Sequence, residues 1–245
     1  MGITLKEDIK KTAVIFLLVF GIIGCDTGNS PSVTPPAAPN NKPIVCLGDS
    51  LTEGYGASSP GAVDKSNSYP AFLQKKVSIQ VINAGISGDT SADALARTAR
   101  DVLSNDPQLV IILLGGNDFL RRRDAEQAKK DLQAIIDMVR GGGREVYLAS
   151  FIGDAAWEAA YLELIPDILN SGVIELLGGY KKIYAELRAK NTDIGFIPNI
   201  WAGIDSTNMS DPIHPNAKGY NKMADNIFNE IKPYLQSNNL LKYLQ

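Results

Sequence analysis

The chain has 245 residues, of which 44% are hydrophobic and 21% are charged, so it suits one folded α/β domain or at most two small ones. Its formal net charge of −3 gives no basic footprint for nucleic acid or for an anionic membrane surface. Two cysteines are too few for a disulfide scaffold or a thiolate zinc cluster, and the single histidine, His214, excludes a metal site built from several imidazoles.

The N-terminal segment has the pattern of an export signal. Three lysines, Lys6, Lys10 and Lys11, precede an apolar run of 12 residues at positions 13–24. A membrane-spanning helix needs roughly 20 apolar residues, whereas a basic start followed by a shorter apolar run is typical of a secretory signal peptide. The alternative is a buried N-terminal helix. The run ends in Ile-Ile-Gly-Cys, which resembles the lipobox of bacterial lipoproteins.

That resemblance implies a lipidated N-terminus at Cys25, after removal of a signal peptide over residues 1–24. Residues 25–42 contain four prolines and almost no large apolar side chain, which predicts a disordered tether. The folded domain is then expected over residues 43–245. This organisation implies an exported protein that a lipid anchors to the membrane of the bacterial cell envelope, on the periplasmic or outer face.

From residue 43 onward, short apolar strands alternate with helical patterns. The predicted strands are residues 44–47, 79–83, 109–114, 145–149 and 194–197. Apolar residues at three- and four-residue spacing predict one helix over residues 124–140 and another that begins at Pro215. The alternation predicts an α/β fold with a parallel sheet between helices, and a ligand site at the carboxyl ends of the strands.

Four polar segments lie where these elements end or begin, and they carry the residue types of a catalytic site. They are residues 48–54 (GDSLTEG), 83–90 (NAGISGDT), 115–118 (GGND) and 211–215 (DPIHP). Each segment alone is ordinary turn chemistry. In this order, the four together resemble the motifs of the SGNH (GDSL) hydrolase family, in particular its bacterial arylesterase and thioesterase/lysophospholipase branch. The family letters fall on Ser50, Gly88, Asn117 and His214.

The resemblance implies a flavodoxin-like, three-layer α/β/α fold with a five-stranded parallel sheet, and a serine hydrolase that cleaves esters without a cofactor. Ser50 is expected to be the nucleophile, His214 the general base and Asp211 the residue that orients the imidazole. The family's oxyanion hole falls on the amides of Ser50 and Gly88 and on the side chain of Asn117. Imidazole is also the side chain type whose ordinary pKa lies near neutrality, which suits a general base.

Other charged residues in the motifs admit two interpretations. Three aspartates, Asp49, Asp89 and Asp118, could be drawn as a metal site, but carboxylates at loop ends more often cap amides or brace a neighbouring loop, so we expect no metal. The run of arginines at residues 121–123 either contacts an anionic head group or forms a solvated face.

The predicted substrate is an acyl ester or thioester, including lysophospholipid-type lipids. The same fold and triad would also serve a carbohydrate O-acetyl esterase, and a non-catalytic surface-binding lipoprotein is the alternative from another class. Residues 151–172 depart from the proline- and tyrosine-rich loop of relatives, so they inform least about the substrate. Four large side chains in that segment could form a lid, a pocket wall or a core helix; they are Trp157, Tyr161, Leu162 and Leu164.

Overall fold

A computed structural model of the chain describes residues 41–155, 159 and 171–242. Within these residues, five parallel strands form one sheet in the order β2-β1-β3-β4-β5. The strands are β1 (Ile44–Gly48), β2 (Val81–Gly85), β3 (Leu109–Leu113), β4 (Glu145–Ala149) and β5 (Gly195–Ile197). This is the flavodoxin-like strand order, and it confirms the predicted fold class.

Helices cover both faces of this sheet. They are α1 (Ser50–Glu53), α2 (Tyr69–Gln74), α3 (Ser91–Asp101), α4 (Gly116–Leu120), α5 (Ala125–Arg140), α6 (Ser171–Lys190) and α7 (Ala217–Ser237). Helix α5 packs against α3 and α6, whereas α2 packs against α7. Successive side chains of a strand point to opposite faces, and all of β3 is fully buried, so both faces of the sheet are covered. The layering is therefore α/β/α, as predicted.

The predicted boundaries agree with the structure for β3 and β4 within one residue, but β2 lies two residues later than predicted. Gln74 at the end of α2 explains the shift. Its side-chain amide donates to the carbonyl of Ile79 and accepts from the N–H of Val81. The side chain of Gln74 therefore binds backbone groups at the start of the strand. Pairing with β1 then begins at Val81 opposite Ile44.

The last helix also begins later than predicted. Pro215 is not in its first turn but pairs with Met209 in an isolated β-bridge. Asn216 is the N-cap, because its side-chain oxygen accepts from the N–H groups of Lys218 and Gly219. The extended conformation before the cap keeps residues 211–215 as a loop beside the sheet.

Some of the predictions concern residues outside the described ranges. These are the signal peptide (1–24), the lipidated Cys25, nearly all of the tether (25–42) and the four large side chains Trp157, Tyr161, Leu162 and Leu164. The other cysteine, Cys46, lies in β1 as a buried free thiol. Among the helices that the structure describes, none is long and apolar enough to cross a bilayer.

Candidate active site

The four polar segments meet at one edge of the sheet. Three of them follow the carboxyl ends of β1, β2 and β3, which are neighbours in the sheet, and the fourth precedes α7. Loops at the carboxyl ends of parallel strands converge on one crevice. Here Ser50, Gly88, Asn117 and His214 line a common cavity of about 350 Å³.

Ser50 lies at a tight turn from β1 into α1, a helix of four residues. Asp49 caps this helix, because its Oδ1 accepts from the N–H of Leu51 at 3.0 Å. Gly54 ends it with φ of +100°, and a Cβ at this position would lie 2.6 Å from the carbonyl oxygen of Asp64. Only glycine fits both conditions. The residues around Ser50 thus encode a turn that presents its hydroxyl to the cavity.

The side chains of Ser50, His214 and Asp211 form a hydrogen-bonded row. The Nε2 of His214 lies 2.9 Å from the Oγ of Ser50. The Nδ1 on the other side of the ring lies 2.8 Å from Oδ2 and 3.0 Å from Oδ1 of Asp211. A carboxylate beside Nδ1 keeps the imidazole proton there, which leaves Nε2 to accept the hydroxyl hydrogen of Ser50.

Backbone groups of the same loop hold Asp211. Its Oδ1 accepts from the N–H of Ile213 at 2.9 Å and from the N–H of His214 at 2.8 Å. Burial raises the pKa of Asp211, but the hydrogen bonds from Ile213 and His214 outweigh burial, so the pKa lies below its ordinary value. The carboxylate therefore stays ionised beside the imidazole, where a negative charge stabilises an imidazolium.

Two tyrosines contact the residues of this row. The ring of Tyr55 packs on that of His214 with centroids 4.6 Å apart. The buried Tyr220 of α7 donates its hydroxyl to the carbonyl of Tyr55 at 2.8 Å and lies 3.3 Å from the carbonyl of Ser50. The last helix is thereby tied to the turn that carries Ser50.

Three residues that line the cavity carry N–H donors near this row. The backbone N–H groups of Ser50 and Gly88 have no acceptor among the residues that the structure describes. The third donor is the side-chain amide of Asn117, whose Nδ2 lies 3.0 Å from the carbonyl of Asp89 and 3.3 Å from Oδ2 of Asp49. Gly88 adopts φ of +89°, which glycine reaches without steric cost.

The carboxyl group of Asp49, which contacts the Asn117 amide, is only 3% exposed. Burial raises the pKa of Asp49 from 3.8 to about 7. The N–H of Leu51 opposes this shift, whereas the negative charges of Asp118 and Asp89 add to it. A buried carboxyl group that titrates near neutral pH therefore contacts the amide of Asn117.

The other two motif aspartates brace loops. Asp118 is fully buried and accepts from both the N–H and the hydroxyl of Ser91, at 2.8 and 2.7 Å. It also pairs with Arg123, which reaches Asp131 as well. Asp89 pairs with Arg97 at 2.5 Å. These contacts agree with the interpretation that the aspartates brace the loops.

The three arginines at residues 121–123 differ in their surroundings. Arg123 is in the partly buried ion pairs just described, and only Arg122 is exposed without a side-chain polar contact to the described residues. The guanidinium of Arg121 donates to the carbonyl of Gly88 at 2.6 Å while half of its side chain faces solvent. Two of the three arginines therefore bind segments of the site itself.

Six of the residues that line the cavity carry an apolar or aromatic side chain, and we call this set the apolar wall. It consists of Leu51, Tyr55, Leu120, Phe151, Trp201 and Ile213. The indole N–H of Trp201 donates to the carbonyl of Phe151 at 2.8 Å, and the ring of Phe151 packs edge-on against Tyr180 and Tyr184. These contacts fix the side chains of Trp201 and Phe151, which gives a preformed surface for an apolar group.

Several residues that shape the site were not predicted from the sequence. They are Tyr55, Tyr220, Trp201, Glu53 and Arg97, and three of them, Tyr220, Trp201 and Arg97, lie several positions outside the motifs in the sequence. The sequence gives a weak indication for Glu53, because this residue belongs to the first motif. Its carboxylate accepts from the N–H of Ser87 at 2.8 Å and from the Ser87 hydroxyl at 2.6 Å, which joins the first motif to the second.

Comparison with known proteins agrees with this geometry. Residues 46–222 match the GDSL-like lipase/acylhydrolase family. The chain belongs to this family. It is therefore an ester hydrolase of the SGNH type, as the four motifs predicted.

Curated relatives cover most of the chain. Esterase TesA of Pseudomonas aeruginosa is 28% identical over 78% of this chain and 89% of its own length. Thioesterase 1/protease 1/lysophospholipase L1 of Escherichia coli K12 is 30% identical over 78% of this chain and 83% of its own. A Bacillus subtilis relative, the uncharacterized lipoprotein YqeF, is 29% identical over 77% of this chain and 86% of its own length. A crystal structure of TesA, 28% identical, superposes with a TM-score of 0.61 over 78% of this chain and 98% of that one.

Proposed function

We propose that this hydrolase cleaves carboxylic esters and thioesters of apolar acyl chains through an acyl-enzyme on Ser50. The observation behind the proposal is the hydrogen-bonded row of Ser50, His214 and Asp211 beside three N–H donors in one cavity. A serine hydroxyl is a weak nucleophile unless a base accepts its proton, and His214 is within reach to do so.

In the first half of the reaction, the Oγ of Ser50 attacks the carbonyl carbon while its proton passes to Nε2 of His214. The carbonyl oxygen becomes an oxyanion, which the N–H groups of Ser50, Gly88 and Asn117 stabilise. The tetrahedral intermediate then collapses, and the bond to the alcohol or thiol breaks. His214 returns its proton to the leaving group, and Asp211 stabilises the transient imidazolium.

In the second half, water replaces the alcohol. His214 takes a proton from the water, whose oxygen attacks the acyl carbon of the ester on Ser50. The same N–H donors stabilise the second oxyanion. Collapse of this intermediate breaks the bond to Oγ, releases the carboxylic acid and returns the proton to Ser50.

The apolar wall supports the choice of acyl group. Phe151, Trp201 and Leu120 offer an apolar surface beside Ser50, which favours an alkyl chain over a sugar ring, whose hydroxyl groups would need partners. The names of the relatives, which include an esterase, a thioesterase and a lysophospholipase, agree with this class of substrate.

The cellular place of the reaction follows from the N-terminal segment. We infer that residues 1–24 are a signal peptide, that Cys25 is lipidated, that residues 25–42 form the tether and that residues 43–245 form the hydrolase domain. The basic start, the apolar run and the Ile-Ile-Gly-Cys string support this inference, and the relative called a lipoprotein agrees with it. Acyl chains of the envelope would then lie within reach of the active site.

The test is a chain-length profile with p-nitrophenyl esters from acetate to palmitate, together with a lysophospholipid and an acetylated oligosaccharide. The Ser50→Ala variant serves as the control for hydrolysis elsewhere on the protein. We expect kcat/KM to peak above two carbons and to vanish in Ser50→Ala. A peak at acetate with turnover of the acetylated sugar would identify an O-acetyl esterase instead. Absence of hydrolysis in the wild type would indicate a binding protein.

A further inference from the structure

Arg97 is a buried guanidinium that the reaction above does not use. It lies on α3, and its side chain is only 7% exposed. Arginine is rarely buried this deeply unless each part of its guanidinium is paired. In this case Nε lies 2.5 Å from Oδ2 of Asp89, Nη2 lies 2.9 Å from the carbonyl oxygen of Gly48, and Nη1 lies 2.8 Å from that of Ala84. Nη1 also reaches Asp101 at 3.1 Å.

These acceptors lie next to the three oxyanion donors. Gly48 ends β1 two residues before Ser50, and Asp89 directly follows Gly88. Asp89 has a second role, because its backbone carbonyl accepts from Nδ2 of Asn117 at 3.0 Å. Ser50 is two residues from Gly48, and Gly88 is the neighbour of Asp89. Asn117 is joined to Asp89 by one hydrogen bond. Each oxyanion donor is therefore close to a group that Arg97 binds.

We propose that Arg97 is a positioning residue that fixes the relative placement of the three oxyanion donors before a substrate arrives. This inference rests on the proposed function of Ser50, Gly88 and Asn117. The guanidinium is a rigid planar fork, so it can hold the ends of β1 and β2 and the loop at Asp89 in one geometry. Donors that are already in place cost no reorganisation when the oxyanion forms.

A buried ion pair could instead act on stability alone, and the two roles differ in what they change. Misplaced oxyanion donors lower kcat with little effect on KM, because the interaction is made in the transition state. Lost stability lowers the melting temperature and the fraction of active protein, but it leaves the turnover of each folded molecule unchanged.

The experiment uses the full chain with three changes: Arg97→Lys, Arg97→Met and the double change Arg97→Met with Asp89→Asn. Active sites are counted with a serine-directed phosphonate, and kcat and KM per active site are measured with the best p-nitrophenyl ester, alongside the melting temperature. A displacement near 1 Å in a catalytic group costs roughly 10²-fold, so we expect kcat to fall by about 10- to 100-fold with KM nearly constant.

The double change separates the two roles. Arg97→Met alone leaves the carboxylate of Asp89 buried without its partner, which is strongly destabilising, whereas the double change removes both charges. We expect the melting temperature to recover in the double variant while kcat per active site stays low. Arg97→Lys keeps the charge but loses the fork, so its kcat should also be low.

Arg140→Met is the matched control. Arg140 binds Asp137, Asn191 and Asp193 at hydrogen-bond distance, and it contacts none of the residues proposed for catalysis. Its kcat per active site should equal that of the wild type. Wild-type kcat per active site in the double variant or in Arg97→Lys would overturn the positioning role. A wild-type protein without esterase activity would instead refute the proposed function.

Discussion

The Nε2 of His214 lies 2.9 Å from the Oγ of Ser50, although 164 positions separate the two residues in the chain. The end of β1 places Ser50, and the loop before α7 places His214. Tyr220 of α7 joins these two parts through its hydroxyl, which contacts the backbone of both Ser50 and Tyr55. The pair therefore depends on the docking of the last helix as much as on its own two side chains.

Replacement of the imidazole tests this pair directly. His214→Ala should lower kcat by about 10³-fold or more, because loss of a triad member removes the base. The chain has no second histidine that could take over. Steady-state hydrolysis of a p-nitrophenyl ester provides the measurement, with the melting temperature to verify folding. Turnover close to that of the wild type would eliminate the triad.

The Asn117 amide separates a catalytic from a structural use of the third motif. Asn117→Ala should lower kcat by roughly 10²- to 10³-fold with little change in KM, because an oxyanion-hole donor acts in the transition state. Asn117→Asp should be at least as damaging, since a carboxylate would repel the oxyanion. Kinetics and melting temperature are measured on one preparation. Activity that falls only in proportion to lost stability would mean that Asn117 merely braces its loop.

The buried carboxyl of Asp49 predicts a pH-dependent stability. Its pKa is about 7 in the folded protein against an ordinary 3.8, so the folded state binds more protons than the unfolded state between these values. Stability from this group is therefore complete below pH 3.8 and is lost as the pH rises through 7. The Asp49→Asn variant keeps a good helix-capping side chain but removes the charge. The melting temperature of Asp49→Asn minus that of the wild type should increase from about pH 4 to about pH 8.

Asp64 supplies the control for that measurement. Hydrogen bonds from Ser66 and Asn67 lower the pKa of Asp64 from 3.8 to about 2. Its contribution to stability is present above pH 3.8 and is lost only as the pH falls towards 2. The melting temperature of Asp64→Asn minus that of the wild type should therefore stay constant from about pH 4 to about pH 8. If the difference in melting temperature between Asp49→Asn and the wild type were also constant over this pH range, Asp49 would ionise normally in the folded protein.

The lipid anchor is tested at Cys25. Cys25→Ser removes the thiol that would be acylated, so the variant should remain unprocessed or leave the membrane fraction. Fractionation and mass spectrometry of the N-terminal peptide provide the measurement, with Cys46→Ser as a control, since Cys46 is a buried thiol in β1. Cleavage of the signal peptide at another position, with no acyl group on Cys25, would refute the anchor.

The sequence by itself determined the fold class and the positions of the motifs. The apolar run of β3 and the alternation of strands with amphipathic helices are local patterns, so they predict a covered parallel sheet without further information. The start of β2 was misplaced by two residues because the side chain of Gln74 occupies the backbone before Val81, and this contact between elements leaves no periodic pattern. The start of α7 was misplaced because both Pro215 and Asn216 are good helix-start residues, and the β-bridge of Pro215 with Met209 decides between them.

For the site, the motifs pointed to Ser50, Gly88, Asn117, Asp211 and His214, which the structure brings around one cavity. Only the tertiary structure decided what supports them: Arg97 against the ends of β1 and β2 and the loop at Asp89, the buried Asp49 against Asn117, and Trp201 against Phe151. These roles depend on burial and on contacts between elements distant in sequence. An arginine on an amphipathic helix has the same local pattern whether it faces solvent or the ends of two strands, because its environment comes from the packing of the whole sheet.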